Sequence, residues 1–188
     1  MVAARASMDL LGDQAVLRHN ALEGKTALIC GASRGIGAAT ARIMAKAGAN
    51  VIIASRNKEQ LSSLLDELPL LGNGEHEALV MDLENTESIQ QSIQPFLDKG
   101  PIHILVNNAG GPPGGPLLNA TVGELAQPFT RHLHAAHTLV KLLTPGMILA
   151  NYGRIIQIVS TSVREPIPNL GVSNTLRGAM ASWAKSLS

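Results

Sequence analysis

The sequence predicts an α/β fold built on a doubly wound parallel sheet. From residue 25 onward, short runs of β-branched and other apolar residues alternate with helical patterns, which is typical of βαβ units. A glycine-rich turn follows the first of these runs and leads directly into a helix. With 188 residues, of which 45% are hydrophobic, the chain can form one domain with a sizeable core.

The first half of the chain supplies three predicted strands and two helices. Each strand follows from a short apolar run, and the three runs are 26–30, 50–54 and 77–81. The helices between them are expected at about 36–47 and 57–68. Gly48 ends the first helix because glycine adopts the left-handed conformation at a helix C-terminus, and Pro69 ends the second because proline disfavours helix at the residue before it.

The second half supplies two more strands, at 102–106 and 154–159. Thr86 and Glu87 provide the N-cap and the first-turn acid of a helix that ends before Gly100. A long helix is predicted at about 122–150, with kinks at Pro128 and Pro145, and a last helix at 172–188. The segment 111–116 (GPPGGP) between the fourth strand and the long helix can form neither helix nor ladder, so it is a loop.

Composition excludes several classes of function. The balance of 15 Lys and Arg against 14 Asp and Glu leaves a net charge of +1, which provides no basic surface for nucleic acid. The single cysteine excludes a disulfide framework and a Cys-based zinc site. Charged residues interrupt every apolar run long before membrane-spanning length, so we expect no membrane span and a cytoplasmic protein.

Residues 1–22 are predicted to be an N-terminal extension, and residues 23–188 the folded domain. The segment 8–17 fits either a short amphipathic helix or a disordered leader. Three histidines in the long helix, His132, His134 and His137, spread over about 200° of helix surface at 100° per residue, so they do not predict a metal site.

The glycines of the first turn have the arrangement of a phosphate-binding loop. Gly31 permits a tight turn off the strand, Gly35 allows backbone N–H groups to approach a pyrophosphate, and Gly37 allows the helix to pack against the strand. The helix N-terminus adds its positive end. The alternative is an ordinary glycine-rich connection with no ligand.

The end of the second strand indicates which nicotinamide cofactor is preferred. An NAD site usually offers a carboxylate to the ribose 2′-hydroxyl about 20 residues after the glycines, but here Ser55, Arg56 and Asn57 occupy that place. A cation there attracts a 2′-phosphate, and Arg34 in the glycine turn is placed to form the other half of a clamp. The sequence therefore favours NADP(H), although an exposed arginine is often only solvated.

Two further strand ends point to the same edge of the sheet. Asp82 and Leu83 follow the third strand, and Asn108 lies in the segment after the fourth. Asp82 can accept a hydrogen bond from an adenine amino group or can cap a turn, and both interpretations remain open. Asn108 can likewise hold the loop instead of contacting ligand.

Three motifs, in this order and spacing, resemble those of the short-chain dehydrogenase/reductase family. They are Gly31-Ala-Ser33-Arg34-Gly35-Ile36-Gly37, Asn107-Asn108-Ala109-Gly110 and Gly153-Arg-Ile-Ile. The resemblance implies a Rossmann-type sheet with strand order 3-2-1-4-5 and hydride transfer between NAD(P)(H) and a small-molecule carbonyl or alcohol substrate, and the end of the second strand favours NADP(H) among these cofactors. The cofactor-binding residues that follow from the glycine turn, the strand ends and the resemblance are Gly31, Ser33, Arg34, Gly35, Ile36, Gly37, Arg56, Asp82, Leu83, Asn108, Ala109 and Gly110.

The resemblance also implies a catalytic set, and here the sequence departs from the family. Ser160 stands at the family's serine position, but Ser173 replaces the tyrosine and Arg177 the lysine of Tyr-x-x-x-Lys, while His132 lies near the place of a helix asparagine. An aliphatic hydroxyl is far less acidic than a phenol, and arginine keeps its charge, so the usual proton transfer is in doubt. The segment is similar to a subgroup with Ser-x-x-x-Arg that resembles 3-oxoacyl-carrier-protein reductases.

Two functions are therefore compatible with the sequence. Ser160, Ser173 and Arg177 form the candidate catalytic set of an NADP(H)-dependent oxidoreductase, with the proton supplied by water or by a histidine of the long helix. The alternative is a non-catalytic NADP(H)-binding module that acts as a sensor or as a subunit of a complex. The resemblance also implies a homodimer or homotetramer, and two further C-terminal strands in a longer chain.

Overall fold

The structure, a computed structural model, describes residues 20–70 and 75–188. Five parallel strands form one sheet in the order β3-β2-β1-β4-β5, which confirms the predicted fold and strand order. The strands are β1 (Thr26–Cys30), β2 (Asn50–Ser55), β3 (Glu77–Val80), β4 (Ile104–Asn107) and β5 (Arg154–Gln157).

Helices cover both faces of the sheet. They are α1 (Gly35–Lys46), α2 (Lys58–Glu67), α3 (Thr86–Leu97), α4 (Val122–Phe129), α5 (Ala135–Leu149) and α6 (Gly171–Ser186). Successive side chains of a strand point to opposite faces, so Ala27 and Ile29 of β1 pack with α1 and α2, whereas Leu28 packs with α3 and α5. The near-continuous apolar runs predicted as strands thus fill two cores at once.

The order of the strands places a crevice at one edge of the sheet. β1 pairs with β2 on one side and with β4 on the other, so the chain connections leave β1 and β4 in opposite directions. In sheets of this kind ligands bind at the carboxyl ends of the strands where the order reverses. The segments that follow β1 and β4 are the glycine turn and Asn108 to Gly110.

The predicted long helix is divided into two. Five residues of π-helix, Thr130–His134, separate α4 from α5 and begin two residues after Pro128. An interruption near Pro128 is therefore confirmed. Pro145, by contrast, lies inside α5, which continues to Leu149, because an α-helix can lose one N–H donor without ending.

Three strands are shorter than predicted, and the first of them, β3, ends at Val80 instead of 81. β4 begins at Ile104 instead of 102, and the ring Nδ1 of His103 accepts a hydrogen bond from the backbone N–H of Thr26 at 3.0 Å. β5 ends at Gln157 instead of 159, at the last residue whose partner on β4 is Asn107. β5 pairs only with β4 among the described residues, and Ile155 and Ile156 are each about 40% exposed.

The predicted helix or leader at 8–17 lies outside the described residues. Within residues 20–70 and 75–188, no helix combines the length and the hydropathy that crossing a bilayer requires.

Candidate functional site

A cleft of about 550 Å³ lies at the carboxyl ends of β1 to β4. Most of the residues predicted to bind cofactor line this cleft, namely Gly31, Ser33, Arg34, Ile36, Arg56, Asp82, Leu83, Asn108, Ala109 and Gly110. Gly35 and Gly37 do not line it. The fold therefore brings together four segments that are far apart in sequence and that the strand-end argument selected.

Close backbone contacts explain the glycines of the turn. Gly31 has a φ of +60°, and a Cβ there would lie 2.5 Å from the backbone oxygen of Asn108. A Cβ on Gly37 would lie 2.3 Å from the oxygen of Gly31, a distance that no real structure accommodates. Gly35 has open space around it, but its φ is +58°, a backbone conformation that residues with a side chain rarely adopt. The turn is thus held tightly against the start of α1.

Asn108 fastens this turn to the neighbouring strand. Its Nδ2 donates to the backbone oxygens of Cys30 at 3.2 Å and of Gly31 at 3.3 Å. The loop-holding interpretation of Asn108 therefore has direct geometric support. The same side chain also forms part of the wall of the cleft.

The N-terminus of α1 is not capped by a side chain. Arg34 occupies the N-cap position, and it makes no side-chain hydrogen bond to the first-turn N–H groups. Such groups, together with the helix dipole, bind phosphate. An open N-terminus beside a tight glycine turn fits the pyrophosphate of a dinucleotide, so the residues present fit NADP(H) at this end.

Two guanidinium groups face the cleft without a partner. Arg34 and Arg56 are both exposed, and neither makes a hydrogen bond or an ion pair with another described residue. Asn57, which follows Arg56, caps α2 by accepting a hydrogen bond from the N–H of Gln60 at 2.7 Å. The two arginines are therefore free to hold an anionic group of a ligand.

Side chains of the segment after β3 hold the turn that leads into α3. Asp82 accepts a hydrogen bond from the N–H of Glu84 at 2.9 Å, so it fixes the local turn as well as lining the cleft. The helix after it is capped by Asn85 and not by Thr86 as predicted, because the Asn85 side chain reaches the N–H of Ser88.

Glu84 pairs with Arg131, a residue that sequence reasoning did not single out. Nε of Arg131 donates to Oε1 of Glu84 at 2.6 Å, and Nε2 of Gln127 donates to Oε2 at 3.2 Å. The hydrogen bond from Arg131 is the main reason why the pKa of Glu84 is below its ordinary value. Arg131 also lines the cleft. In the sequence, only its position next to His132 indicated that Arg131 could belong to the site.

Ser160 follows β5 and has its oxygen already engaged. Its Oγ accepts a hydrogen bond from the N–H of Ser162 at 3.1 Å, which leaves the hydroxyl hydrogen free to donate. Ser162 is buried, and its own Oγ has no hydrogen-bond partner among the described residues. The turn that contains Ser162, Thr161–Val163, packs against α6.

Ser173 and Arg177 lie one turn apart on α6, so they share one face of the helix. Arg177 is 8% exposed, and its Nη1 donates to the backbone oxygen of Ile158 at 2.8 Å. That oxygen is two residues before Ser160, so the hydrogen bond fixes Arg177 at the carboxyl end of β5. No described carboxylate lies within ion-pair distance of Arg177. Burial lowers the pKa of its guanidinium.

His132 is a buried, neutral residue of the π-helix. Its Nε2 donates to the backbone oxygen of Gly110 at 3.0 Å. Burial, followed by the nearby charge of Arg177, lowers its pKa to about 4. At neutral pH the ring therefore carries one proton, which is engaged with Gly110.

The loop after β4 is fixed to the start of α6. The N–H of Gly115 donates to the oxygen of Asn169 at 2.6 Å, and the N–H of Gly171 donates to the oxygen of Gly115 at 3.1 Å. A cavity of about 250 Å³ lies beside this connection, with Pro112, Pro116 and Val172 among its walls. The proline-rich loop is thus held near the segment that carries Ser173.

Comparison with known proteins decides the family. The profile described as short chain dehydrogenase matches residues 25–188. This chain belongs to the short-chain dehydrogenase family. The matched residues include both the cleft and α6.

Proteins similar to this chain include two named as reductases and one named as an oxidoreductase. Ketoacyl reductase HetN of Nostoc sp. is 33% identical over 88% of this chain and 58% of its own length. L-Sorbose reductase of Gluconobacter frateurii, solved with NADPH and L-sorbose, superposes with a TM-score of 0.82 at 26% identity, over 90% of this chain and 65% of that one. A metagenomic short-chain oxidoreductase solved with NADP has a TM-score of 0.81 at 33% identity, over 88% and 76%. The chain thus spans about 58% to 65% of the length of the first two proteins.

Proposed function

We propose that this short-chain dehydrogenase is an NADP(H)-dependent oxidoreductase that transfers a hydride between the cofactor and a carbonyl or alcohol substrate. The observation that carries the proposal is the cleft, which combines the tight glycine turn, the open N-terminus of α1 and the two unpaired cations Arg34 and Arg56. Relatives solved with NADP or NADPH support the same cofactor.

The roles at the cofactor end follow from charge and geometry. The first-turn N–H groups of α1 bind the pyrophosphate, and Gly31 and Gly37 keep the backbone close enough for this contact. Arg56 and Arg34 bind the 2′-phosphate, since neither guanidinium forms an ion pair with another described residue. A carboxylate in the place of Arg56 would repel that phosphate.

The roles at the substrate end belong to Ser160, Ser173 and Arg177. When bound, NADPH supplies the hydride to the carbonyl carbon. Ser160 donates its free hydroxyl hydrogen to the carbonyl oxygen, and Ser173 provides a second hydroxyl from the first turn of α6. Arg177 lowers the energy of the negative charge that develops on this oxygen, because its buried guanidinium has no carboxylate partner.

The proton for the alkoxide comes from water in this proposal. Ser173 is too weak an acid, Arg177 does not release a proton at neutral pH, and the ring N–H of His132 is engaged with Gly110. Arg177 stabilises the alkoxide that hydride transfer forms, so that the proton can follow from water in a separate step, which leaves hydroxide in the solvent. We therefore expect slower turnover than a tyrosine acid would give.

Cofactor binding and turnover test this function separately. Titration calorimetry with NADPH and with NADH should give tighter binding of NADPH, and Arg56→Asp should abolish that preference. Oxidation of NADPH is then followed at 340 nm with a panel of ketones and 3-oxoacyl thioesters. Equal binding of the two cofactors would contradict the role of Arg56, and absence of turnover with every carbonyl would contradict the oxidoreductase.

The replacement of the family's tyrosine by Ser173 favours a second candidate, a non-catalytic NADP(H)-binding module. The double variant Ser173→Tyr/Arg177→Lys separates the two. A catalytic wild type turns over substrate without the tyrosine, and Ser160→Ala lowers its rate. A non-catalytic wild type binds NADPH but consumes none, and only the double variant gains measurable turnover.

A further inference from the structure

Arg131 connects two walls of the cofactor cleft. It lies in the π-helix between α4 and α5, and its partner Glu84 lies after β3, 47 residues earlier. The side chains of Arg131 and Glu84 are 25% and 27% exposed, so the ion pair is partly buried. Nη1 of Arg131 also lies 3.5 Å from the backbone oxygen of Gly110, the oxygen that His132 contacts.

Arg56 faces the same cleft and is within electrostatic range of Glu84. Both Arg56 and Arg131 line the cleft, together with Leu83, the neighbour of Glu84. The charge of Arg56 contributes to the low pKa of Glu84, after the larger effects of Arg131 and Gln127. Glu84 therefore has two cationic neighbours, but it makes hydrogen bonds with only one of them.

If the hydrogen bonds from Arg131 are lost, Arg56 is the remaining cation to which the Glu84 carboxylate is attracted. Bound to Arg131, it leaves Arg56 free for an anionic ligand. Turned towards Arg56, it would neutralise that guanidinium and place a negative charge beside the ligand's phosphate, which costs binding energy because like charges repel. Removing Arg131 takes away the hydrogen bonds that favour the first position.

We propose that Arg131 is a positioning residue for cofactor specificity, which holds Glu84 away from Arg56 and so keeps Arg56 available for the 2′-phosphate of NADP(H). The proposal rests on the proposed function, because it assumes that Arg56 binds this phosphate. Removal of Arg131 and removal of the charge on Glu84 should therefore have different effects on cofactor preference. Loss of Arg131 releases a carboxylate, whereas loss of the charge on Glu84 does not.

The test compares Arg131→Met, Glu84→Gln and the double variant. Calorimetry measures the dissociation constants of NADPH and NADH for each, and thermal unfolding verifies that each variant is folded. We expect Arg131→Met to reduce the preference for NADPH about tenfold. Glu84→Gln should retain the preference, and the double variant should regain it, because no carboxylate remains to compete for Arg56.

Other outcomes overturn the proposal. A purely structural ion pair gives the same loss in all three variants, and a direct contact between Arg131 and the cofactor gives equal losses in Arg131→Met and the double variant. Arg42→Met is the matched control, because it breaks the exposed Arg42–Glu67 pair outside the cleft and should not change the preference.

Arg56→Met distinguishes failure of the proposed function from failure of this inference. If Arg56→Met leaves the preference for NADPH unchanged, the assumed role of Arg56 is wrong, and both conclusions fall. If Arg56→Met abolishes the preference while Arg131→Met and Glu84→Gln behave alike, only the role of Arg131 is wrong. A wild type that binds neither cofactor overturns both.

Discussion

The cofactor end and the substrate end of this site are built from different kinds of interaction. At the cofactor end, backbone contacts dominate, since Gly31 and Gly37 leave no room for a Cβ and Asn108 bonds two backbone oxygens. At the proposed substrate end, side chains dominate, because Ser160, Ser173 and Arg177 would act through hydroxyls and a guanidinium. The first kind fixes a shape, and the second sets the chemistry.

This difference gives a physical reason why Ser173 and Arg177 can stand where the resemblance implies a tyrosine and a lysine. A backbone-built cradle admits few substitutions, because a single added methyl group collides with main-chain atoms. Side-chain chemistry can change without moving the backbone, so α6 keeps its place while carrying Ser173 and Arg177. Substitutions at the two ends should consequently have different effects, on catalysis at one and on folding at the other.

The largest effect is expected from Arg177→Met at the substrate end. Methionine retains much of the buried volume but removes the charge and the donors, so kcat/KM should fall roughly 10²- to 10³-fold, as for the loss of an oxyanion donor. Steady-state kinetics with the best carbonyl substrate measures this, and thermal unfolding shows whether the fold is intact. Retention of full activity would exclude Arg177 from the chemistry.

The second-largest effect is expected from Gly37→Ala at the cofactor end. The added Cβ would lie 2.3 Å from the oxygen of Gly31, so the turn or α1 must move, and the free energy of unfolding should fall by about 3 kcal/mol. Urea denaturation without cofactor measures it. Gly178→Ala in α6 is the control, because nothing lies within 4 Å of its Cβ and the change should stabilise the helix by up to about 1 kcal/mol. Equal behaviour of the two variants would contradict the cradle.

His132 should make the stability depend on pH, because it is buried in the folded protein and burial disfavours its charged form. Its folded pKa of about 4 is below the ordinary 6.5, so the unfolded chain binds the proton more readily. This contribution is fully present above pH 6.5 and is lost as the pH falls towards 4, by about 2 kcal/mol between pH 7 and 4.5. Urea denaturation at several pH values should give a flatter profile for His132→Gln.

His137→Gln is the control for this experiment, because His137 is exposed on α5. Its pH profile should follow that of the unchanged protein. A profile for His132→Gln that is as steep as the unchanged protein's would assign the loss of stability to other groups.

The sequence alone was sufficient for the fold and for most of the cleft. The glycine turn and the strand ends follow from local signals, such as the apolar run at 26–30 and the glycines after it, whose meaning does not depend on distant residues. The strand order came from the resemblance to the family. Of the residues predicted at the cofactor end, only Gly35 and Gly37 do not line the cleft, and both shape the turn.

The remainder depends on contacts that sequence spacing does not reveal. Arg131 and Glu84 are 47 residues apart and meet only because the π-helix and the end of β3 lie side by side. The neutral state of His132 likewise depends on burial, which a helix pattern with three histidines does not indicate. The homo-oligomer, the cytoplasmic location and the two further strands stay predictions.

The smallest effect concerns Asn57 at the rim of the cleft, where scaffold and ligand contacts are hardest to separate. Asn57 caps α2 through the N–H of Gln60, so Asn57→Ala should lower the free energy of unfolding by about 1 kcal/mol. If its role is only this cap, NADPH affinity should change less than twofold. Asn85→Ala removes the equivalent cap of α3, and Asn85 does not line the cleft, so it should cost similar stability. A loss of NADPH affinity in Asn57→Ala but not in Asn85→Ala would show that Asn57 contacts the cofactor. The Asn57 side chain would then contribute to the cofactor end, in addition to the backbone groups of the glycine turn.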